Sequence, residues 1–218
     1  MSDIKNFIAK NVASLFKDGD IVNLGVGIPT LAVEYLQEGV NVIIHSENGA
    51  IGCGGVATPQ EATMDLVDAA NVPITLMKQG SCTDSATSFG IVRGGHVDYT
   101  VLGALQVDQE GNLASWIIPG KAVNGMGGAM DLVAGSKKVI IAMIHTSKDG
   151  SSKLLKKCTW PLTAVNAVTH IVTNLAIIEV TNKRFVVKAM ASELTKEELQ
   201  LKTNAELIFP LDIKVMLD

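Results

Sequence analysis

The apolar positions along the chain follow two rhythms. Ile4, Phe7, Ile8, Val12, Leu15 and Phe16 recur every three or four residues, which predicts an amphipathic N-terminal helix stopped by KDGD at 17–20. Beyond it the apolar residues come in short unbroken runs. IVNLGV (21–26), VNVIIH (40–45), VPITLM (72–77), VDYTVLGALQVD (97–108) and KKVIIAMIHT (137–146) each predict a strand. Between them lie helical stretches at about 30–37, in CTDSATSFGIVRGG with its glycine stop, and in LTAVNAVTHIVTN (162–174). Residues 111–135 read mostly as loop. LAIIEV and RFVVKAM flank TNK as a hairpin, Thr195 and Glu198 form a capping-box pair, and ELIFP predicts a last strand.

Continuous aliphatic strands alternating with helices belong to a sheet buried on both faces. The predicted fold is α/β: a single three-layer α/β/α domain over residues 1–218, with an open, mostly parallel sheet and a C-terminal antiparallel hairpin. In open sheets of this kind ligands bind beyond the carboxyl ends of the strands. The loops that follow strands are therefore where chemistry is expected.

Composition narrows the field. Of 218 residues, 47% are apolar and 18% charged, which suits one well-buried domain. Aromatics are 4%, so the core is aliphatic and base-stacking surfaces are not expected. Net charge is 18 − 22 = −4, the opposite of a nucleic-acid footprint. Three separated cysteines without a CxxC pair fit a reducing compartment better than a disulfide framework or a zinc site. No signal-peptide pattern or membrane-length apolar run stands out, and a cytoplasmic protein is expected.

Three glycine-containing loops follow predicted strands. The first, NLGVGIP (23–29), holds GxG, but Thr30 stands where a dinucleotide fingerprint needs its third glycine. It is either a tight turn or a place where a ligand approaches the backbone closely. The second, SENGAIGCGG (46–55), puts Glu47 almost directly after an apolar run, with four glycines close behind it. A carboxylate there is a solvated turn residue, a general base, a metal ligand or a nucleophile. His45 points to the opposite face if the strand continues, which weakens the metal option. The third, NGMGGAMDL (124–132), offers consecutive backbone N–H groups for an anion or oxyanion, or is a surface loop. Elsewhere Asp84 and Ser85 read as a helix cap, His96 and Asp98 as a strand start, and Trp116 and Trp160 as loop anchors. Lys148, Lys153, Lys156 and Lys157 read as a solvated face, and neither His145 nor His170 has a partner nearby in sequence.

Taken together and in this order, VNLGVGIPT, HSENGAIG and GMGGAMDLV resemble the B (β) subunit of family I coenzyme A transferases, of the acetate/butyrate–acetoacetate or 3-oxoacid type. RGGHVDYTVLGALQVD, NLASWIIPGK and KKVIIAMIHT are similar to that subunit too, so the resemblance spans about residues 4–215. It implies the CoA-transferase fold shared with ribose-phosphate isomerases. It also implies that Glu47 is a nucleophile which passes through an acyl anhydride to a glutamyl-CoA thioester, in ping-pong fashion. Gly128 is then the oxyanion donor, with Gly127 and Ala129 beside CoA, and Asn23 is an amide donor at the active site. Gly25, Gly27, Asn48 and Gly49 are expected to contact substrate or CoA. CoA is substrate and covalent intermediate rather than a resident cofactor, and no metal is implied. The implied partners are an A (α) subunit, in a heterodimer or heterotetramer, and an acyl-CoA with a short-chain carboxylic acid. MKQGSCTDSATSF (77–89) departs from the family pattern, which bears on the acyl pocket or a subunit contact. The competing readings are a sugar-phosphate isomerase-like enzyme, and an effector-binding module of the same fold.

Overall fold

The computed structural model describes residues 2–123 and 125–218. One large sheet organises the chain. Its strands are β1 (Ile21–Leu24), β2 (Ile43–His45), β3 (Ala50–Val56), β4 (Ile74–Cys82), β5 (Tyr99–Leu102), β6 (Lys138–Ala142), β7 (His170–Val172), β8 (Ala176–Thr181), β9 (Arg184–Met190), β10 (Leu207–Ile208) and β11 (Lys214–Val215). Across the sheet they run β10–β9–β8–β7–β6–β5–β1–β2–β3–β4, and β11 also pairs with β9. The middle of the sheet, β2–β1–β5–β6–β7, is parallel. Antiparallel pairs flank it, β7–β8–β9 on one side and β2–β3–β4 on the other.

The central strands read as unbroken aliphatic runs because both faces are covered. Along β6, Val139 and Ile141 enter one core cluster while Ile140 and Ala142 enter the other. The second cluster is roofed by α1 (Ser2–Ala13), which buries Ile8 and Val12, and by a 3₁₀ helix over Pro29–Tyr35. The opposite face is covered by α2 (Ser85–Arg93), α3 (Ala129–Gly135) and α4 (Lys196–Leu201), together with short strands at 106–108, 113–114 and 154–155. The three layers and the C-terminal hairpin match expectation. Asn182 and Lys183, both at positive φ, make that hairpin's turn, and the Thr195–Glu198 capping box forms in both directions.

Several expected elements differ. Residues 162–174 are not helical. Thr163 and Ala164 pair with Leu113, and the chain then enters β7. A segment this rich in threonine and valine yields to strand pairing when partners are at hand. The expected strand over 97–108 breaks after Leu102, and Gln106–Asp108 joins a separate small sheet. The helix expected near 30–37 is the tighter 3₁₀ form. Within 111–135, expected to be loop, lie three two-residue strands and α3. The glycine-dense stretch after Gly49 is strand β3, and β4 runs on to Cys82. Among the described residues no helix is long and apolar enough to cross a membrane.

Candidate active site

Glu47 sits in the turn that joins β2 to β3. The Ser46 N–H donates to the Ala50 carbonyl at 2.8 Å, and the Gly49 N–H donates to the Ser46 carbonyl at 2.9 Å, which closes the turn. Gly49 has φ +129°, and a Cβ there would stand 2.0 Å from the Thr83 carbonyl oxygen. The turn is thus wedged against the end of β4, and only glycine fits. Two further bonds tie it to the 66–73 segment. Asn48 Nδ2 donates to the Val67 carbonyl at 2.8 Å, and the Ala69 N–H donates to Ser46 Oγ at 3.0 Å.

The carboxylate of Glu47 faces an open cleft of about 370 Å³, lined also by Asn48, Ala69, Ser85, Phe89, Gly127, Gly128 and Asp131. Glu47 is half-buried, and burial pushes its carboxyl above the usual glutamate range; a backbone hydrogen bond from Gly128 pulls partly the other way. Among the described residues Glu47 forms no ion pair, whereas Asp131 across the cleft is paired with Arg93. Gly128 is where the third loop meets the second. A Cβ on Gly128 would stand 2.7 Å from Glu47 Oε1 and 2.7 Å from Phe89 Cζ.

The other expected site residues are spread unevenly. Gly127 and Gly128 line the cleft beside Glu47 and Asn48, and Ala129 opens α3 directly behind them. Asn124, the first residue of that loop, lies outside the described residues. Gly25 packs against its own sheet: its N–H donates to the Val101 carbonyl at 2.8 Å, and a Cβ would meet Leu102 at 3.1 Å. Gly27 is exposed in the following turn. Asn23 is buried, and its amide nitrogen lies 3.2 Å from both the ring Nδ1 and the carbonyl oxygen of His45. Its Oδ1 is buried without a hydrogen-bond partner among the described residues.

His45 ends β2 inside the core, bonded to Asn23 on one side and Ser88 on the other. His145 and His170 do have partners. His145 lies between Thr173 and Thr203, and His170 bonds to Thr169. Asp84 caps α2 as expected, accepting from the Thr87 N–H at 2.9 Å. Ser85, beside that cap, also lines the cleft, which its place in a capping pattern does not foretell. Phe89, four residues further along the same helix, is a wall that no local motif marks.

With this geometry in view, the resemblances are consistent. The profile of the coenzyme A transferase family matches residues 5–201. The acetate CoA-transferase subunit beta of Haemophilus influenzae is 51% identical over 212 residues, covering 97% of this chain and 95% of its own. The protein of the same description from Escherichia coli is 48% identical over 211 residues, covering 97% and 96%. An acyl-CoA transferase apoenzyme structure from Escherichia coli O157:H7 superposes with a TM-score of 0.79 at 20% identity, over 98% of this chain. The chain spans 43% of that longer one, and at such identity the likeness bears on the fold. A family match over nearly the whole length, joined to close relatives covered end to end, shows that the chain belongs to the coenzyme A transferase family.

Proposed function

We propose that this chain is the catalytic B subunit of a CoA-transferase that moves CoA between a short-chain acyl-CoA and a carboxylic acid, with Glu47 as the nucleophile. The observation that carries the reading is the placement of the Glu47 carboxylate. It stands at the mouth of a cleft, partly stripped of water, without an ion pair among the described residues, and close beside the backbone of Gly128. A carboxylate so placed is less stabilised as a resting anion and is a better nucleophile than one in bulk water.

The chemistry balances without ATP. A Glu47 carboxylate oxygen attacks the thioester carbonyl, the C–S bond breaks, and CoA leaves as thiolate. The product is a mixed anhydride between the acyl group and Glu47. The thiolate then attacks the glutamyl carbonyl, the anhydride C–O bond breaks, and the first carboxylic acid departs as its anion. Glu47 is left as a CoA thioester. A second carboxylate attacks that carbonyl and the steps run in reverse. In the thiolate attack the developing oxyanion is a former Glu47 carboxylate oxygen. The Gly128 backbone stands beside this carboxylate, so its N–H is placed to stabilise that charge.

Asn48 and Gly127 line the cleft along which CoA or the acyl group would pass, while Gly49 shapes the turn that holds Glu47, Ala129 opens the helix behind Gly128, and Asn23 lies buried beneath. The relatives are described as beta subunits acting in acetate CoA transfer, which supports acetate-type acids as substrates and an alpha subunit as partner. A heterodimer or heterotetramer, in the cytoplasm, completes the proposal. Unpaired Cys53, Cys82 and Cys158 suit that compartment.

The test uses the complex with its partner subunit. Incubation with a short-chain acyl-CoA and no acceptor acid is followed by peptide mass spectrometry. A CoA adduct is expected on the peptide bearing Glu47, and none in a Glu47→Gln control. A folded complex that binds acyl-CoA and yields no adduct would rule out the covalent route.

A further inference from the structure

Directly beneath the turn that carries Glu47 lies a chain of three buried polar side chains: Asn23 at 2% exposure, His45 at 1% and Ser88 at 0%. We propose that His45 is a positioning residue, whose imidazole with its proton on Nε2 locks β1, the Glu47 turn and α2 into one frame. The inference rests on the reading of Glu47 as the nucleophile.

The hydrogen-bond directions are determined by the partners. The Asn23 side-chain group that faces His45 lies 3.2 Å from the His45 carbonyl oxygen, which can only accept. That group must therefore be the NH₂ end of the amide. The same NH₂ lies 3.2 Å from His45 Nδ1, so Nδ1 must accept as well and carries no proton. The proton of the neutral ring is then on Nε2, which donates to Ser88 Oγ at 2.9 Å. With its oxygen lone pair so used, the Ser88 hydroxyl has its own hydrogen free for the Ser46 carbonyl, 3.5 Å away at the long end of bonding range. The chain of donors runs from β1 through β2 to α2 and back to the residue just before Glu47.

Two further observations fit a positioning role. Turning the Asn23 amide over would give its oxygen a donor only by setting it against the His45 carbonyl. The orientation is held although it leaves Asn23 Oδ1 buried and unpartnered among the described residues, an arrangement that is ordinarily disfavoured. Burial of the ring also lowers the His45 pKa, which keeps Nδ1 available as an acceptor. The elements joined by this chain are those that shape the cleft: the turn with Glu47 and Asn48, and α2 with Ser85 and Phe89.

The test again uses the assembled two-subunit enzyme. Wild type, His45→Ala, His45→Asn and Ser88→Ala are given acyl-CoA without acceptor, and the rate of CoA adduct formation on Glu47 is followed beside kcat and KM. In His45→Ala, adduct formation and kcat are expected to fall about 10²-fold, as for a reacting group misplaced by about an ångström, while KM for acyl-CoA stays within about threefold. In His45→Asn, whose side-chain oxygen can stand near the former Nδ1, about tenfold of that loss is expected to return. Ser88→Ala is expected to lose about tenfold, and it decides the matter by the same criteria if His45→Ala does not assemble. Wild-type adduct rates in the variants, a rise in KM alone, or no recovery in His45→Asn would each overturn the inference. A wild-type complex that forms no adduct would instead overturn the parent reading, and this inference with it.

Discussion

At the scale of single residues, Gly128 carries a sharp expectation. Its backbone, at φ −80° and ψ 1°, is open to any L-residue, so alanine brings no conformational strain. The added Cβ would nonetheless fall 2.7 Å from Glu47 Oε1 and 2.7 Å from Phe89 Cζ. Both neighbours are side-chain ends, and side chains can turn aside. The fold can therefore absorb the substitution, but only by moving the carboxylate that is proposed to react. Gly128→Ala is expected to lower kcat by roughly 10²-fold, the cost of an ångström-scale misplacement, with a melting temperature close to wild type. Steady-state kinetics and a thermal scan of the complex check this together. Unchanged kcat would show that Glu47 need not stand where the structure puts it. Asp131 in the same cleft invites no comparable expectation, because its exposed pairing with Arg93 contributes little.

At the scale of elements, the turn between β2 and β3 depends on Gly49. Here alanine meets two obstacles at once: φ +129°, and a backbone carbonyl oxygen 2.0 Å from the new Cβ. Neither can be relieved by turning a side chain. Gly49→Ala is expected to destabilise the protein by at least ~2 kcal/mol, and denaturant unfolding measures it. A loss below about 0.5 kcal/mol, the range of neutral surface substitutions, would show the turn to be looser than drawn. The same hairpin shows what a sequence can and cannot reveal. Glu47 was legible because it closely follows an apolar run, just ahead of glycines. Strand β3 was not, since AIGCGGV has little intrinsic strand preference and becomes a strand by pairing with β2 and, over most of its length, β4. Phe89 and Ser88 are invisible for a related reason. They lie within α2, and their roles arise from its docking beside the turn some forty residues earlier in the chain. Residues 162–174 erred the other way: a helix-like rhythm was overridden by the pairing of Thr163 and Ala164 with Leu113.

At the scale of the whole molecule, His145 joins regions distant in sequence. It follows β6, bonds through Nδ1 to Thr173 beyond β7, and through Nε2 to Thr203 beyond α4. Its ring is fully buried, and burial, aided by the nearby Lys202 charge, lowers its pKa from 6.5 to about 4. The sign of the linkage follows. Above about pH 6.5 the ring is neutral in both folded and unfolded chains, and stability does not depend on it. Between about pH 6.5 and 4 the unfolded chain takes up a proton that the folded chain refuses, so stability falls as pH falls through that window. At about 1.4 kcal/mol per pKa unit, the loss approaches 3 kcal/mol by pH 4. The depressed values of His45 and His170 act in the same direction, whereas the raised value of Glu47 acts against it. Urea unfolding across pH 7 to 4.5 should therefore show a steady decline for wild type. His145→Gln, less stable at neutral pH, should show a visibly shallower one. Parallel slopes for the two proteins would mean that His145 is protonated in place, and that the tie between β6, β7 and α4 survives with a charged ring at its centre.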